Sequence, residues 1–349
     1  MSENTFPLTK AELDSAFNDG HFATLFQPKL SLIDGRTLGV ETYIRWHHPE
    51  MGTLLPGEFL AFVSEQRRMS DLTDLVLHEA ARAASLWRSE RRHWSVAVNL
   101  SGEDLEQPSL VDHLSDLFIA YAIPAEALAI DISESALTHE NERRFHALET
   151  LRQAGIHIAL DTSGIDLLPA ERISARYFSE LKIGGASLIK FSRSVAQAGK
   201  GLIAQRLDAA ARHGLTVTAT RVEDIHTVKP LADMGFSAVQ GSFFRHPDTI
   251  EGLKSWSSDW LIPVLTDERP ARTDTIARAR ATLADPDLLL FPEEELADPQ
   301  PAKTAAEETP SEAQDATLAI SPALPPNRPK RGRPCATRQT DDRKQIFFS

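Results

Sequence analysis

The sequence predicts an α/β fold, a single (β/α)8 TIM-like barrel that is followed by a disordered C-terminal tail. Short apolar runs typical of strands alternate with amphipathic helical segments over about 240 residues. That length suits one barrel of strand–helix units. The chain contains neither G-x-G-x-x-G nor G-x-x-x-x-G-K-[ST], glycine-rich motifs that would favour an open doubly wound sheet, so the barrel is the favoured architecture.

Seven apolar runs carry the strand prediction. They are Leu38–Ile44, Ser95–Leu100, Leu128–Ile132, Ile156–Leu160, Glu180–Ile183, Thr216–Ala219 and Ala238–Val239. Between the first two runs, apolar residues from Leu72 to Ala84 recur at spacings of three and four, which places them on one face of a helix. The segment Leu202–His213 predicts another helix, and Gly214 suits the position at which the chain leaves that helix.

Composition changes sharply near residue 260. Residues 250–349 hold 12 of the 21 prolines, residues 285–315 hold ten acids and one base, and residues 328–344 hold seven bases and two acids. Such stretches bury too little apolar surface to offset the entropy lost on ordering. We therefore expect an N-terminal lead-in over residues 1–19, a barrel over 20–250 and a mostly disordered tail over 251–349, acidic at 285–315 and basic at 328–344.

Several classes of protein are disfavoured by composition. No apolar run is long enough to cross a membrane, and the polar N-terminus lacks the apolar region of a secretory signal. The single cysteine, Cys335, cannot form an intrachain disulfide. A net charge of −13 argues against binding nucleic acid over the whole surface. We expect a soluble cytoplasmic protein that has no membrane partner.

Polar side chains stand at the ends of the predicted strands. They are Glu41, Asn99, Asp131, Asp161, Lys182 and Gln240. The carboxyl ends of barrel strands meet at one face, where barrel enzymes carry their active sites. Carboxylate and amide oxygens suit Mg²⁺ or Mn²⁺, and a lysine among them could orient a water. A single acid after a strand is more often a helix cap, so the whole set carries the prediction of a site.

A series of short motifs occurs in one order along the chain and resembles the EAL domain family over about residues 20–248. The motifs are Gln27-Pro28, the run Gly39–Pro49 with its R-W-x-H-P pattern, Pro56-x-Glu58-Phe59, Val98–Ser101, Asp131–Ser135, Ile158–Asp161, Leu181–Ile183 and Val239–Gly241. The resemblance implies a barrel whose first strand is antiparallel. It also implies hydrolysis of the bacterial second messenger cyclic di-GMP to linear pGpG with two Mg²⁺ or Mn²⁺ ions.

The resemblance also implies roles for individual positions. Four match the metal ligands of the family: Glu41, Asn99, Asp131 and Asp161. Three match residues that contact the nucleotide or order the site: Gln27, Arg45 and Gln240. Lys182 matches the lysine that contacts the reacting water, and Glu134 matches a glutamate that holds a loop beside the site.

The chain departs from the family pattern mainly where the chemistry lies. Three positions that are acidic in the family are Thr162, Gly184 and Thr220, and Arg221 replaces a glycine. Two ions held ~3.5–4 Å apart need ligands for both and enough negative charge to offset their repulsion. We therefore expect an incomplete site that binds at most one Mg²⁺ or Mn²⁺ weakly, a vestigial Lys182 and negligible phosphodiesterase activity.

Three functions stay open on these grounds. The first is a catalytically degenerate regulator that acts as a cyclic di-GMP receptor, as a scaffold for an unidentified protein partner, or as both; Arg45 would then bind a phosphate or merely pair with Glu41. The second is a weak metal-dependent phosphodiesterase that produces pGpG. The third is a DNA-associated regulator whose AT-hook-like tail, with Lys330, Arg331 and Arg333, enters a narrow minor groove. A solvated basic tail is the simpler interpretation of those three residues.

Overall fold

A computed structural model describes residues 8–137, 142–162, 168–184 and 198–265. All of these belong to the first of the two units into which the chain divides, Met1–Leu288. The predicted tail beyond residue 265, with Lys330, Arg331 and Arg333, lies outside the described residues, as do positions 163–167. No helix in the described ranges is long and apolar enough to cross a membrane.

Nine strands form one sheet within the described residues. They are β1 (Phe22–Ser31), β2 (Thr37–His48), β3 (Gly52–Leu54), β4 (Ser95–Leu100), β5 (Leu128–Ser133), β6 (His157–Thr162), β7 (Glu180–Gly184), β8 (Thr216–Thr220) and β9 (Ala238–Gln240). The order is β1-β9-β8-β7-β6-β5-β4-β2-β3, and an additional pairing of β1 with β2 closes eight of the strands into a barrel. This closure confirms the predicted barrel.

Strand β1 runs against both of its neighbours, β2 and β9, whereas β2 and β4 to β9 pair in parallel. The antiparallel first strand that the family resemblance implies is therefore present. Strand β3 lies outside the closed barrel, as a short hairpin partner of the end of β2. The carboxyl ends of the seven parallel strands consequently meet at one face of the barrel.

The described helices surround this barrel. They are Lys10–Asn18, Pro56–Glu65, Met69–Ser89, Gly102–Leu105, Leu110–Ala120, Glu142–Gln153, Ala198–His213, Val228–Asp233 and Ile262–Leu265. Short 3-10 turns lie at Ala125–Ala127, Glu134–Leu137, Ala170–Arg172, Ile225–Thr227 and Asp259–Leu261. Helix Ala198–His213 begins four residues before the predicted Leu202 and ends where predicted, at Gly214, whose φ of +64° is the left-handed value that favours glycine.

The packed chain extends beyond both ends of the barrel predicted over residues 20–250. Thr9 and Glu12 form a capping box that begins helix Lys10–Asn18, and Leu13 on this helix is fully buried against Trp46 and its aromatic neighbours. After residue 250, Leu253 and Leu261 are fully buried in the main core. Ordered structure on either side therefore contributes to the same fold.

Candidate active site

Lys182 lies at the centre of the carboxyl-end face of the barrel. Its Nζ lies 2.7 Å from Glu41 Oε2 and also pairs with Asp131 Oδ2. The three residues come from β7, β2 and β5, and only 2% of the lysine side chain is exposed. Two of the carboxylates that the sequence assigned to metal binding thus share one buried ammonium group.

Burial and the charges of the partners together shift the pKa values of Glu41, Asp131 and Lys182. Burial alone would raise the pKa of Glu41, but the Lys182 ammonium and hydrogen bonds from Asn99 and Gln240 lower it below its ordinary value. Burial raises the pKa of Asp131 to about 7, against the opposing charge of Lys182. Burial would lower the pKa of Lys182, yet Asp131 and Glu41 hold it well above its usual range. These contacts therefore hold the lysine as a cation.

The predicted amides are brought to the same place. Gln240 Nε2 donates to Glu41 Oε2 at 3.0 Å and to Gln27 Oε1 at 3.1 Å, and Asn99 Nδ2 donates to Glu41 Oε1 at 3.2 Å. Gln27 in turn donates to the carbonyl of Arg245 at 2.9 Å. Gln27 and Gln240 are buried, so these contacts order Glu41, while Gln240 Oε1 is left buried without a hydrogen-bond partner.

Arg45 does not pair with Glu41, which was one of the two interpretations of this residue. Its Nη1 donates to the carbonyl of Ile44 at 2.9 Å, and its Nε is buried without a hydrogen-bond partner. Among the described residues, the partners of Glu41 are instead Lys182, Asn99 and Gln240. The arginine consequently retains donors for a ligand.

Thr162, Gly184 and Thr220, where the resemblance implies acids, are each packed against neighbouring residues. The hydroxyl of buried Thr162 donates to the carbonyl of Lys182 at 3.1 Å, across the β6–β7 pairing. Gly184 pairs in register with Thr220, and a Cβ at residue 184 would overlap with Thr220 Oγ1. The glycine therefore makes room for the threonine, and the two substitutions are complementary in shape.

Glu134 supports the neighbouring loop. It is 1% exposed, its Oε1 accepts a hydrogen bond from the backbone N–H of Leu168 at 2.9 Å, and it pairs with Arg206. Leu168 is the first described residue after positions 163–167, so the carboxylate anchors the backbone where the described chain resumes.

A cavity of about 620 Å³ opens over these residues, within the range of small-molecule sites. Three carboxylates and three permanent cations are among its described lining residues: Glu41, Asp161, Glu223, Arg45, Lys182 and Arg221. Tyr43 also lines it, and burial together with the charge of Glu41 raises the pKa of its hydroxyl, which stays protonated. The cavity wall is thus close to charge-neutral without any added ion.

The donor atoms of the described residues do not fit the two-ion centre that the resemblance implies. Within the described ranges, no cluster of three or more His, Cys, Asp or Glu side chains could hold a metal ion. Glu41 and Asp131 are committed to Lys182, and Asp161 lines the cavity without a described ion pair to it. One buried oxygen, Asp131 Oδ1, has no hydrogen-bond partner and could accept a single cation.

Sequence reasoning missed some of the residues at this site. Glu223 and His246 line the cavity but follow no strand-end rule, because they lie on connections after β8 and β9. It also missed an ion pair deeper in the barrel, between Lys29 and Glu180 at 2.6 Å. The sequence does contain a signal that Glu180 faces the barrel interior. Glu180 and Lys182 are two residues apart on β7, so their side chains lie on the same face of the strand.

The barrel and its site resemble known proteins in sequence and in fold. The family model called EAL domain matches residues 10–247. The chain is 29% identical over 245 residues to the uncharacterised protein Rv1357c of Mycobacterium tuberculosis, which covers 69% of this chain and 80% of that protein. It is 29% identical over 238 residues to the cyclic di-GMP phosphodiesterase PA2567 of Pseudomonas aeruginosa, covering 67% of this chain and 40% of that protein. The fold is similar to a solved structure described as PaMucR phosphodiesterase in complex with c-di-GMP, with a TM-score of 0.65 and 24% identity over 70% of this chain and 98% of the other.

Proposed function

Because the chain belongs to the EAL domain family, we propose that its barrel is a catalytically degenerate member that binds cyclic di-GMP as a receptor and does not hydrolyse it at a significant rate. The observation that carries the proposal is the packing at Thr162, Gly184 and Thr220. None of these positions offers a carboxylate, and each is occupied by contacts within the protein.

The lack of turnover follows from the demands of two-metal hydrolysis. The two ions clamp the attacking and the leaving oxygen of an in-line displacement, so each ion needs ligands of its own. Among the described residues, the acids nearest the centre, Glu41 and Asp131, share the single positive charge of Lys182, which occupies one oxygen of each. Every ~1.4 kcal/mol of lost transition-state stabilisation lowers the rate tenfold, and metal assistance contributes several kcal/mol.

Retained binding rests on different features. The cavity is large enough for a small ligand, and its polar wall is close to neutral, so it can accept an anion without first binding a metal. Arg45 Nε and Gln240 Oε1 are buried without partners, which is costly unless a ligand or water satisfies them. A fold relative is described as a complex with cyclic di-GMP, a dianion with two phosphodiester groups.

A second candidate is a weak metal-dependent phosphodiesterase that produces pGpG. It is favoured by Asp131 Oδ1, a buried acceptor without a partner, together with the Asn99 amide and the Glu41 carboxylate nearby. One divalent ion at these atoms would polarise a phosphate oxygen. It would leave the leaving oxygen without the second ion that the full mechanism uses.

Calorimetric titration of the full chain with cyclic di-GMP tests the proposal. It is performed first with EDTA and then with Mg²⁺ or Mn²⁺, and the nucleotides are afterwards separated by chromatography. We expect binding in both buffers and no pGpG. Metal-dependent pGpG formation that disappears in Glu41→Gln would instead support the second candidate. No binding in either buffer would overturn the receptor role and leave a scaffold for a protein partner.

A further inference from the structure

The cavity contains one cation whose backbone is strained. Arg221 follows β8 directly and has a φ of +58°, in the left-handed region that non-glycine residues rarely adopt. A glycine would adopt this conformation without cost. An arginine there costs free energy, and such strain persists in proteins mainly at functional positions.

The surrounding backbone imposes this conformation. Thr220 is held in register with β7, and on the other side the N–H of Val222 donates to the carbonyl of Gln240 at 3.0 Å. The carbonyl of Val222 accepts from the N–H of Phe243 at 3.1 Å, and a side chain at Gly241 would overlap with the Val222 backbone. Residue 221 thus lies between two anchored neighbours and cannot relax its backbone.

The Arg221 side chain has no described hydrogen bond or ion pair that offsets this cost, although its charge opposes the rise that burial causes in the pKa of Asp161. It is exposed, it lines the cavity, and within the part of the chain that the structure describes it has no hydrogen bond, ion pair or ring contact. A guanidinium group is a planar fork of donors that matches two oxygens of a phosphate. Arg221 brings the described cations of the cavity wall to three, equal to its three carboxylates, and its unpaired fork of donors makes it a site for an anion.

We propose that Arg221 binds a phosphate of the nucleotide and takes the electrostatic part that divalent ions have in metal-dependent binding. This assignment rests on the proposed receptor function, since it concerns the same cavity. Arg45 lines the same cavity from β2. In the sheet, β1 and β9 lie between β2 and β8, the strand that Arg221 follows. The two guanidinium groups enter from different strands, which suits a ligand that carries two phosphodiesters.

The test compares the wild type with Arg221→Gly in EDTA by calorimetric titration with cyclic di-GMP. We expect the variant to bind about tenfold to a hundredfold more weakly, the range for losing a charged hydrogen bond. Arg221→Lys, which keeps the charge but loses the fork, is expected to fall between the two. Because glycine suits the left-handed backbone, the melting temperature of Arg221→Gly should not fall, so misfolding would not explain weaker binding.

Arg91→Gly is the matched control. Arg91 is also an exposed arginine with a left-handed backbone, with a φ of +64°, but it precedes β4 and lies at the opposite end of the barrel. We expect its affinity to equal that of the wild type. Equal affinity of Arg221→Gly and the wild type would overturn the assignment and leave the receptor function standing. A wild type that binds no cyclic di-GMP would overturn both.

Discussion

Each end of the barrel interior holds a lysine that is paired with carboxylates, but the surrounding polar atoms are hydrogen-bonded to different extents. At the amino end, Lys29 lies 2.6 Å from Glu180, whose other oxygen accepts the Thr218 hydroxyl at 2.6 Å; we call these three residues the amino-end cluster. The carboxyl-end cluster consists of Lys182, Glu41 and Asp131. No atom of the amino-end cluster is buried without a partner, whereas Asp131 Oδ1 is.

This difference shows that the two clusters are not equally satisfied by the protein itself. Buried polar groups are nearly always paired, because an unpaired one costs its full desolvation energy. Gln240 Oε1 and Arg45 Nε, beside the carboxyl-end cluster, are also without partners. The amino end is complete by itself, whereas the carboxyl end leaves groups that a ligand can satisfy.

The largest effect should come from removing the cation of the carboxyl-end cluster. Lys182→Met leaves Glu41 and Asp131 buried together without a counter-charge, and breaking a buried pair costs about 3–5 kcal/mol. Lys29 is 12% exposed and neutralises one carboxylate, so Lys29→Met should cost about 2–3 kcal/mol. Urea unfolding at pH 7 measures both. A larger loss for Lys29→Met would reverse the ranking of the two clusters.

Measuring the free energy of unfolding over a pH series should show how much the ionised Glu180 carboxylate stabilises the amino-end cluster. Burial would raise the pKa of Glu180, but Lys29, Lys182 and the Thr218 hydroxyl hold it at about 2, below the ordinary 4.5. Because the folded-state pKa is the lower one, the stabilisation is complete above pH 4.5 and is lost as the pH falls towards 2. Glu180→Gln should therefore lose about 3 kcal/mol at pH 7, and its difference from the wild type should shrink below pH 4.5.

The control for this series is Glu79→Gln, which removes an exposed carboxylate paired with Arg82 at 2.6 Å. Exposed pairs contribute about 0–1 kcal/mol, so this variant should follow the wild type over the whole range. A difference between Glu180→Gln and the wild type that stays constant down to pH 3 would show that the Glu180 carboxylate is not held ionised.

Much of the fold could be predicted because the parallel strands are apolar runs. Strand β1 was not among those runs, since it contains Pro28 and carries Gln27 and Lys29. Its antiparallel direction came from the resemblance and not from its pattern. At the site, the strand-end rule led to Glu41 and Lys182, because the carboxyl ends of parallel strands must meet, but both residues lie inside their strands, β2 (Thr37–His48) and β7 (Glu180–Gly184).

Other parts of the site depend on packing that no local pattern encodes. The fit of Thr220 over Gly184 requires the β7–β8 register, which brings together residues 36 positions apart. The left-handed backbone of Arg221 follows from the hydrogen bond between Val222 and β9. An arginine in the sequence does not predict a left-handed backbone, because this residue type rarely adopts one. The pairing of Lys29 with Glu180 spans the closed barrel and could be known only after closure.

That packing at the carboxyl end gives a smaller prediction. Gly184→Ala places a methyl group on Thr220 and should cost about 1–2 kcal/mol in urea unfolding. Adding Thr220→Ala should recover at least ~0.5 kcal/mol, because contacting residues couple by that much or more. The control is Gly57→Ala, where an added Cβ meets no atom within 4 Å. Additive effects of Gly184→Ala and Thr220→Ala would mean that the two substitutions are not complementary.

The smallest expected effect is that of a divalent ion on the wild type. If Lys182 already supplies the cation between Glu41 and Asp131, an ion that binds with a millimolar dissociation constant adds no more than ~0.4 kcal/mol at about 1 mM. Thermal unfolding with EDTA and with Mn²⁺ measures this, and the shift should be larger in Lys182→Met, where both carboxylates are released. A large shift of the wild type at micromolar Mn²⁺ would mean that the ammonium yields to a metal. The carboxyl-end cluster would then be a metal site that the lysine occupies only when no ion is bound.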